Sequence, residues 1–348
     1  MESAPRLTPR IKSSPPERKI ESMPPNLEEF IPEDRLPYYI DVYDNDNGPG
    51  SKISRLVLPE RPVYRHFGLS GLNLETWTKF LERNPVRFVR RFPWPSPASI
   101  FDFDKGANGN DPKSTSGYPK IGQIDLRNHE YLGSGNHSYV ALAPLTLPST
   151  TDAPPVHGAV AVKLALFDEG ELLMNEAKIY CAFPRELQED RGFDLPSVVP
   201  KSYGYYQASH GAFESQSLVG EFTNYERKEI CKVLQHVSTF LLIEHCGVQI
   251  DPLVGKEQEP VLSLFKRLHE ANFVQGSPSP RNVVVQPGPL TVPKGERSLH
   301  KPSYRILDFG RGLSADFGIG RKHPEFLAER KEAEMKWAQE RLSLNEYF

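Results

Sequence analysis

The sequence predicts an α+β fold, rich in strands first and in helices later, and three observations predict it. First, a strand, a glycine turn and a second strand run through residues 124–147, around Gly133-Ser134-Gly135-Asn136-His137-Ser138. Second, an apolar strand over 158–166 carries one lysine, Lys163, in its middle, and an amphipathic helical pattern over 171–180 then carries Glu176. Third, a loop ends in Pro280-Arg281-Asn282, runs into the β-branched strand Val283-Val284-Val285, and is answered by Asp308-Phe309-Gly310 after the strand at 304–307. Strands gathered early and helices late are the mark of this class.

Length and composition bound what such a chain can be. Its 348 residues can bury a substantial core, while a hydrophobic fraction of 38% and 33 prolines point to long irregular segments. The net charge of -3, with both signs interspersed, gives no basic field for nucleic acid or an anionic membrane. Three cysteines, Cys181, Cys231 and Cys246, form no close pair and fit a reduced thiol set rather than a disulfide framework. The start Met1-Glu2-Ser3-Ala4-Pro5 lacks a signal-peptide pattern, and no apolar run nears the ~20 residues of a membrane helix. An intracellular location, cytoplasmic or nuclear, is the expectation.

Taken in order, residues 1–26 are rich in Pro, Ser, Arg and Lys and read as a disordered tail. Residues 27–120 read as an N-terminal extension. Within it Asp44-Asn45-Asp46-Asn47-Gly48 fails the calcium-loop spacing and reads as a solvated turn. Leu72, Leu74, Trp77, Phe80 and Leu81 have near-helical spacing, with Asn73 as cap and Pro85 beyond the end. The basic-aromatic run at 87–94 alternates as a half-buried strand or docking arm does, and the Gly, Asn, Asp, Lys and Ser of 104–119 form a linker. Residues 121–348 make up the folded domain.

In that domain Lys163 sits in an apolar strand, which requires either an edge position or a buried counter-charge, and Glu176 is the candidate. A strand follows at 198–207, then a polar insertion at 208–236 with a short helix near 226–234. The buried strand Thr239-Phe240-Leu241-Leu242-Ile243 ends in the connector Glu244-His245-Cys246-Gly247. Residues 260–271 read as a helix with Pro260 at its first position, where no amide donor is needed. A polar excursion at 287–303 precedes the strand at 304–307, and 325–342 reads as a charged helix whose apolar members are Phe326, Leu327, Met335, Trp337 and Leu342.

Five motifs in this order resemble those of the protein-kinase superfamily over about 124–313. Gly133-x-Gly135-x-x-Ser138-x-Val140 resembles the glycine-rich loop, Val160-Ala161-Val162-Lys163 the strand lysine, and Glu176 its helix partner. Glu244 to Gly247 resembles the hinge, and Asn282 with Asp308-Phe309-Gly310 the metal ligands. The resemblance implies two lobes, a β-rich N-terminal lobe and a shortened helical C-terminal lobe, with a site for ATP and Mg²⁺. It places Gly133, Ser134, Gly135, Ser138, Val140, Ala161 and Lys163 around the nucleotide, with backbone groups of Glu244 and Cys246 on adenine and Mg²⁺ on Asn282 and Asp308.

Three departures qualify the activity that this resemblance implies. Ser277 stands where the family carries its catalytic aspartate, after Gln275-Gly276 in place of His-Arg, and a serine hydroxyl cannot serve as a base near neutral pH. Ser279 stands where typical protein kinases carry a lysine, one that small-molecule kinases of related fold often lack too. Past Gly310 the chain shows no Ala-Pro-Glu and no long run of further helices, so the usual peptide platform is largely missing. The expectation is an ATP- and Mg²⁺-binding protein whose phosphoryl transfer is weak or lost, a pseudokinase in effect. The competing expectations are an active atypical protein or small-molecule kinase whose base is Asp316 or an N-terminal carboxylate, and a scaffold that binds no nucleotide.

Overall fold

The computed structural model describes residues 36–37, 39–43, 86–92, 121–126, 129–134, 138–147, 149, 155–165, 170–190, 195–208, 239–250 and 258–342. The expected tail at 1–26, turn at 44–48, helix at 72–84, linker at 104–119 and short helix at 226–234 lie outside them, as does Gly135.

Eight strands share one sheet: β1 (Tyr39–Tyr43), β2 (Val86–Phe92), β3 (Ile121–Asp125), β4 (Glu130–Ser134), β5 (Ser138–Leu147), β6 (Val156–Ala165), β7 (Ser202–Ala208) and β8 (Thr239–Ile243). Their order is β3-β1-β2-β7-β8-β6-β5-β4. Because β3 also pairs with β5, through Gln123↔Thr146 and Ile124↔Leu145, the sheet closes on itself through seven strands. A ring of seven cannot close with antiparallel pairs alone. The parallel member is β1–β3, in register from Tyr39↔Ile121 to Tyr43↔Asp125.

Closure removes the free edge that an open sheet would leave at β3. It also buries Ile40, Phe88, Ile124, Leu145 and Phe240. Phe88 lies 4.8 Å from Phe240, Tyr206 stacks on the same ring at 5.2 Å, and the Tyr206 hydroxyl donates to Pro37 O at 2.8 Å. Strands from both sides of the 104–119 stretch therefore belong to one sheet. The single strand expected over 124–132 is two, β3 ending at Asp125 and β4 starting at Glu130, and His129 Nδ1 meets Leu126 O at 2.6 Å.

The helical part holds α1 (Gly170–Ala182), α2 (Arg185–Gln188), α3 (Gln258–Glu270), α4 (Gly318–Lys322) and α5 (Pro324–Arg341). Short strands join them: β9 (Val248–Gln249), β10 (Phe273–Val274), β11 (Val283–Gly288), β12 (Ser298–Ile306) and β13 (Leu313–Ser314). In α3 the buried Val261, Leu264, Phe265 and Leu268 follow helical spacing. The helix starts two residues before Pro260, which still lies in the first turn, where amides have no partner within the helix. Part of the excursion expected at 287–303 is strand: β12 begins at Ser298, and the β11–β12 turn contains a single 3-10 turn, Lys294–Glu296.

One core joins the two lobes. It takes Leu173, Ala177 and Tyr180 from α1, Leu241 and Ile243 from β8, Phe265 from α3, then Phe273, Phe309, Ala338 and Leu342. On α5 the inward residues are Leu327, Glu334 and Ala338; Trp337 is exposed beneath the Arg341 guanidinium, 5.8 Å from its ring centre. The α+β fold in two lobes is thus the one observed. Among the described residues no helix is long and apolar enough to cross a membrane.

Candidate functional site

Lys163 is on no edge. β6 lies between β5 and β8, with Lys163 opposite Val140 on one side and Leu241 on the other, and its side chain is 8% exposed. Its ammonium donates to Glu176 Oε2 at 2.6 Å and to Asp308 Oδ1 at 2.7 Å. Burial works most strongly against the charge, but the two carboxylates together outweigh it and hold the Lys163 pKa above its ordinary value. Burial likewise pushes the Glu176 carboxyl up, and Lys163 opposes that shift. Lobes that are distant in sequence thus meet at one shared cation.

The Asp-Phe-Gly segment is held from three sides. Phe309 is buried edge-on to Tyr180 at 5.6 Å and to Phe183 at 4.9 Å, which ties it to α1 and its C-terminal end. Asn175, one residue before Glu176, donates to Gly310 O at 2.9 Å and Gly312 O at 3.2 Å. Gln275 Nε2 donates to Leu307 O at 2.9 Å and Asp308 O at 2.8 Å, while Gln275 Oε1 accepts the Ser277 amide at 2.7 Å. Asp308 itself has φ 63°, a left-handed conformation that aspartate tolerates better than most residues.

Asn282 is drawn into the same group. Its Nδ2 donates to Ser277 O at 2.8 Å, which turns Oδ1 the other way, and its carbonyl accepts the amide of Leu307 at 2.8 Å, next to Asp308. The glycine at 276 is required by shape: φ is 88°, and a Cβ there would lie 2.4 Å from Arg311 O. Gln275, through its side-chain bonds, and Gly276, through its left-handed backbone, thus hold this loop against Leu307 and Asp308.

Beneath that loop lies a carboxylate the sequence did not reveal. Glu334 of α5, 2% exposed at its side chain, accepts the Gln275 amide at 3.1 Å, the Gly276 amide at 2.5 Å and His269 Nε2 at 2.7 Å. Among the charged residues of 325–342 nothing marks it out, since helical spacing alone does not tell which acid faces inward.

The remaining expected residues fall as follows. Gly133 pairs with Val140, Ser138 with Ala165, and Ala161 with Ile243, while the Ser134 hydroxyl meets Tyr131 OH at 2.7 Å. Glu244 and Cys246 follow β8, both buried, and the Cys246 thiol points to Glu244 O at 3.6 Å. The antiparallel register of β10 and β13 directs the chain at Asp316 back along the Asn272 side. It sets Phe273 against Ser314, and the Ala315 amide reaches Asn272 O; the Asp316 amide is bonded to Ser314 Oγ.

Burial pushes the Cys181 thiol up to about 12 and the Cys246 thiol well above its ordinary value. With a pKa of about 12, only about 10⁻⁴ of Cys181 is thiolate at pH 8. Native protein treated with iodoacetamide at pH 8 is expected to leave Cys181 unmodified by peptide mass mapping, and unfolding in urea to expose it.

No family model matches this chain, and no curated protein does. Among solved structures it is similar to an Stt7 homolog from Micromonas algae soaked with ATP, at 13% identity and TM-score 0.32, over 59% of this chain and 55% of that one. It is also similar to the Rio2 kinase–ADP/Mg²⁺–phosphoaspartate complex from Chaetomium thermophilum, at 11% identity and TM-score 0.31, over 65% of this chain and 57% of that one. The chain thus spans a little over half the length of each. Its own topology, with the strand lysine Lys163 joined to Glu176 of a helix and to Asp308 of the helical part, is that of a two-lobed α+β fold.

Proposed function

We propose that this protein binds ATP with Mg²⁺ between its two lobes and that its phosphoryl transfer is weak or lost. The observation that carries the reading is the single ammonium of Lys163 shared by Glu176 and Asp308. A buried lysine on a central strand, oriented by a helix carboxylate, is placed to meet phosphate oxygens. Backbone groups at Glu244 and Cys246 would border adenine, and the residues from Gly133 to Val140 would cover the phosphates.

The donor set suits Mg²⁺. Asp308 is a hard carboxylate whose side chain is 46% exposed, and Asn282, bonded through its carbonyl to Leu307, turns an amide oxygen away from Ser277. One carboxylate and one amide oxygen, with phosphates completing the shell, is a composition that Mg²⁺ accepts. Asp308 and Asn282 would hold the ion, which when bound supplies charge neutralisation for the phosphates. Lys163 would then exchange its contact with Asp308 for a phosphate oxygen while keeping Glu176.

What position 277 lacks is a carboxylate. Ser277 offers only a hydroxyl, and the chain at Asp316, the substitute the sequence offered, runs back along the Asn272 side. General acid-base help contributes about 10²–10⁴-fold to rate, whereas positioning and charge stabilisation supply most of phosphoryl transfer. Transfer is therefore expected to be crippled. Ser277→Asp is expected to raise autophosphorylation by about 10-fold or more, measured with labelled phosphate; parent turnover at ~1–100 s⁻¹, the ordinary kinase range, would contradict the reading.

Binding is tested separately, by thermal shift with ATP and Mg²⁺. At about 100 times Kd a ligand adds about 2.7 kcal/mol, a readily measured rise in Tm. No rise in the parent protein would favour a scaffold that binds no nucleotide.

A further inference from the structure

Three segments far apart in sequence line a cleft of about 320 Å³: the stretch from α2 to β7, the residue after β8, and the β11–β12 turn. Glu189, Asp190, Lys201, Glu244, Leu290 and Thr291 line it. That volume is at the lower end for small-molecule sites. We propose that it is a binding site for a protonated amine or guanidinium.

The charges within it are unequally matched. Asp190 Oδ1 accepts the Ser197 amide at 2.7 Å, the Ser197 hydroxyl at 2.5 Å and Arg305 Nη2 at 3.2 Å. Arg305 is fully buried, and its Nη1 also donates to Ser197 O, Ser303 Oγ and Tyr304 O. Lys201 faces Glu189 at 3.4 Å. Two cations are thus already engaged by two carboxylates, and the third acid, Glu244, has no ion pair among the described residues.

Glu244 is the deepest of the three, at 3% exposure. Its Oε2 accepts the Lys201 amide at 3.0 Å, and no other donor reaches its carboxylate among the described residues. A carboxylate offers about four acceptor sites, and a buried one with a single amide donor is short of compensation. Burial raises its pKa, with Arg305 opposing, and a bound cation would act in the same sense as Arg305.

An organic monocation fits better than a bare divalent ion. The excess is one negative charge, Lys201 lies on the wall, Leu290 gives an apolar side, and the space far exceeds one ion and its ligands. A guanidinium also matches a carboxylate fork through two parallel hydrogen bonds. The cation could be a free small molecule or an arginine side chain of another protein. Glu244 follows the strand that would border adenine, yet the inference stands on this cleft alone and needs no nucleotide.

The test is calorimetry on nucleotide-free full-length protein with butylguanidinium and its neutral isostere butylurea, followed by a blocked Gly-Arg-Gly peptide. Butylguanidinium is expected to bind, and butylurea at least about 10-fold more weakly, as the loss of a charge-assisted hydrogen bond dictates. Glu244→Gln is expected to erase that preference. Because it alters a buried site, Thr291→Lys at the exposed rim serves as a second variant: its own ammonium is expected to displace the probe without harming the fold. Tighter peptide than free-probe binding would assign the cation to a protein partner, and the reverse to a metabolite. Equal binding of the charged and neutral probes, or binding of neither by correctly folded protein, would overturn the proposal.

Discussion

Replacing Lys163 with Met is expected to destabilise the protein by about 3–5 kcal/mol in urea denaturation and to abolish Mg²⁺-ATP binding. Removing the ammonium leaves the Glu176 side chain, 2% exposed, without the cation 2.6 Å away, and leaves Asp308 without the same partner at 2.7 Å. Breaking one side of a buried pair costs far more than removing both. The double variant Lys163→Met/Glu176→Leu is therefore expected to recover most of the lost stability, while nucleotide binding stays absent. If the double variant regained stability and bound Mg²⁺-ATP as the parent does, the lysine would have only a structural role.

The same variant carries a pH signature. With the lysine gone, burial acts on Glu176 unopposed by its nearest cation, so its folded pKa rises further above the unfolded 4.5. An acid whose pKa is raised on folding binds more protons in the native state. Its penalty is absent below the unfolded value and grows as pH rises toward the folded one. The stability gap between parent and Lys163→Met should therefore narrow as pH falls toward 4.5, and a gap that widened would contradict the assignment.

Motif order made the site legible because each motif is local while their sequence is global. A lysine in an apolar strand requires a counter-charge, and Glu176 was identifiable because the following helical pattern carried an acid at a suitable place. Asp308 as a second partner of Lys163 could not be seen: 145 residues separate them, and an Asp-Phe-Gly aspartate is expected to face metal rather than lysine. The two strands β1 and β2 illustrate a different limit. The run at 87–94 shows alternation, but alternation says only that one face is covered. That β2 lies between β1 and β7, and that β3 then reaches β5 to complete a ring, depends on pairings no local pattern encodes. Gln275 was read as a departure, and only the fold shows it holding Leu307 and Asp308.

Glu334→Ala is expected to be the most damaging substitution outside the Lys163 group. Its carboxylate accepts two backbone amides of the loop, Gln275 and Gly276, together with His269 Nε2. Alanine would strand all three donors in a buried place, and each such group costs about 1–3 kcal/mol, so a loss of at least about 3 kcal/mol is expected. The consequence reaches the site in steps: Gln275 holds Asp308 through its side chain, and the Ser277 carbonyl orients Asn282. Loosening the loop is thus expected to weaken Mg²⁺-ATP binding without touching any group that would contact it. Hydrogen exchange separates this from general destabilisation. At equal global stability, set with urea in the parent, the amides of Gln275 and Gly276 should exchange faster in the variant while those of β6 do not. Equal protection of the two loop amides in parent and variant would mean that the loop is held by something other than α5.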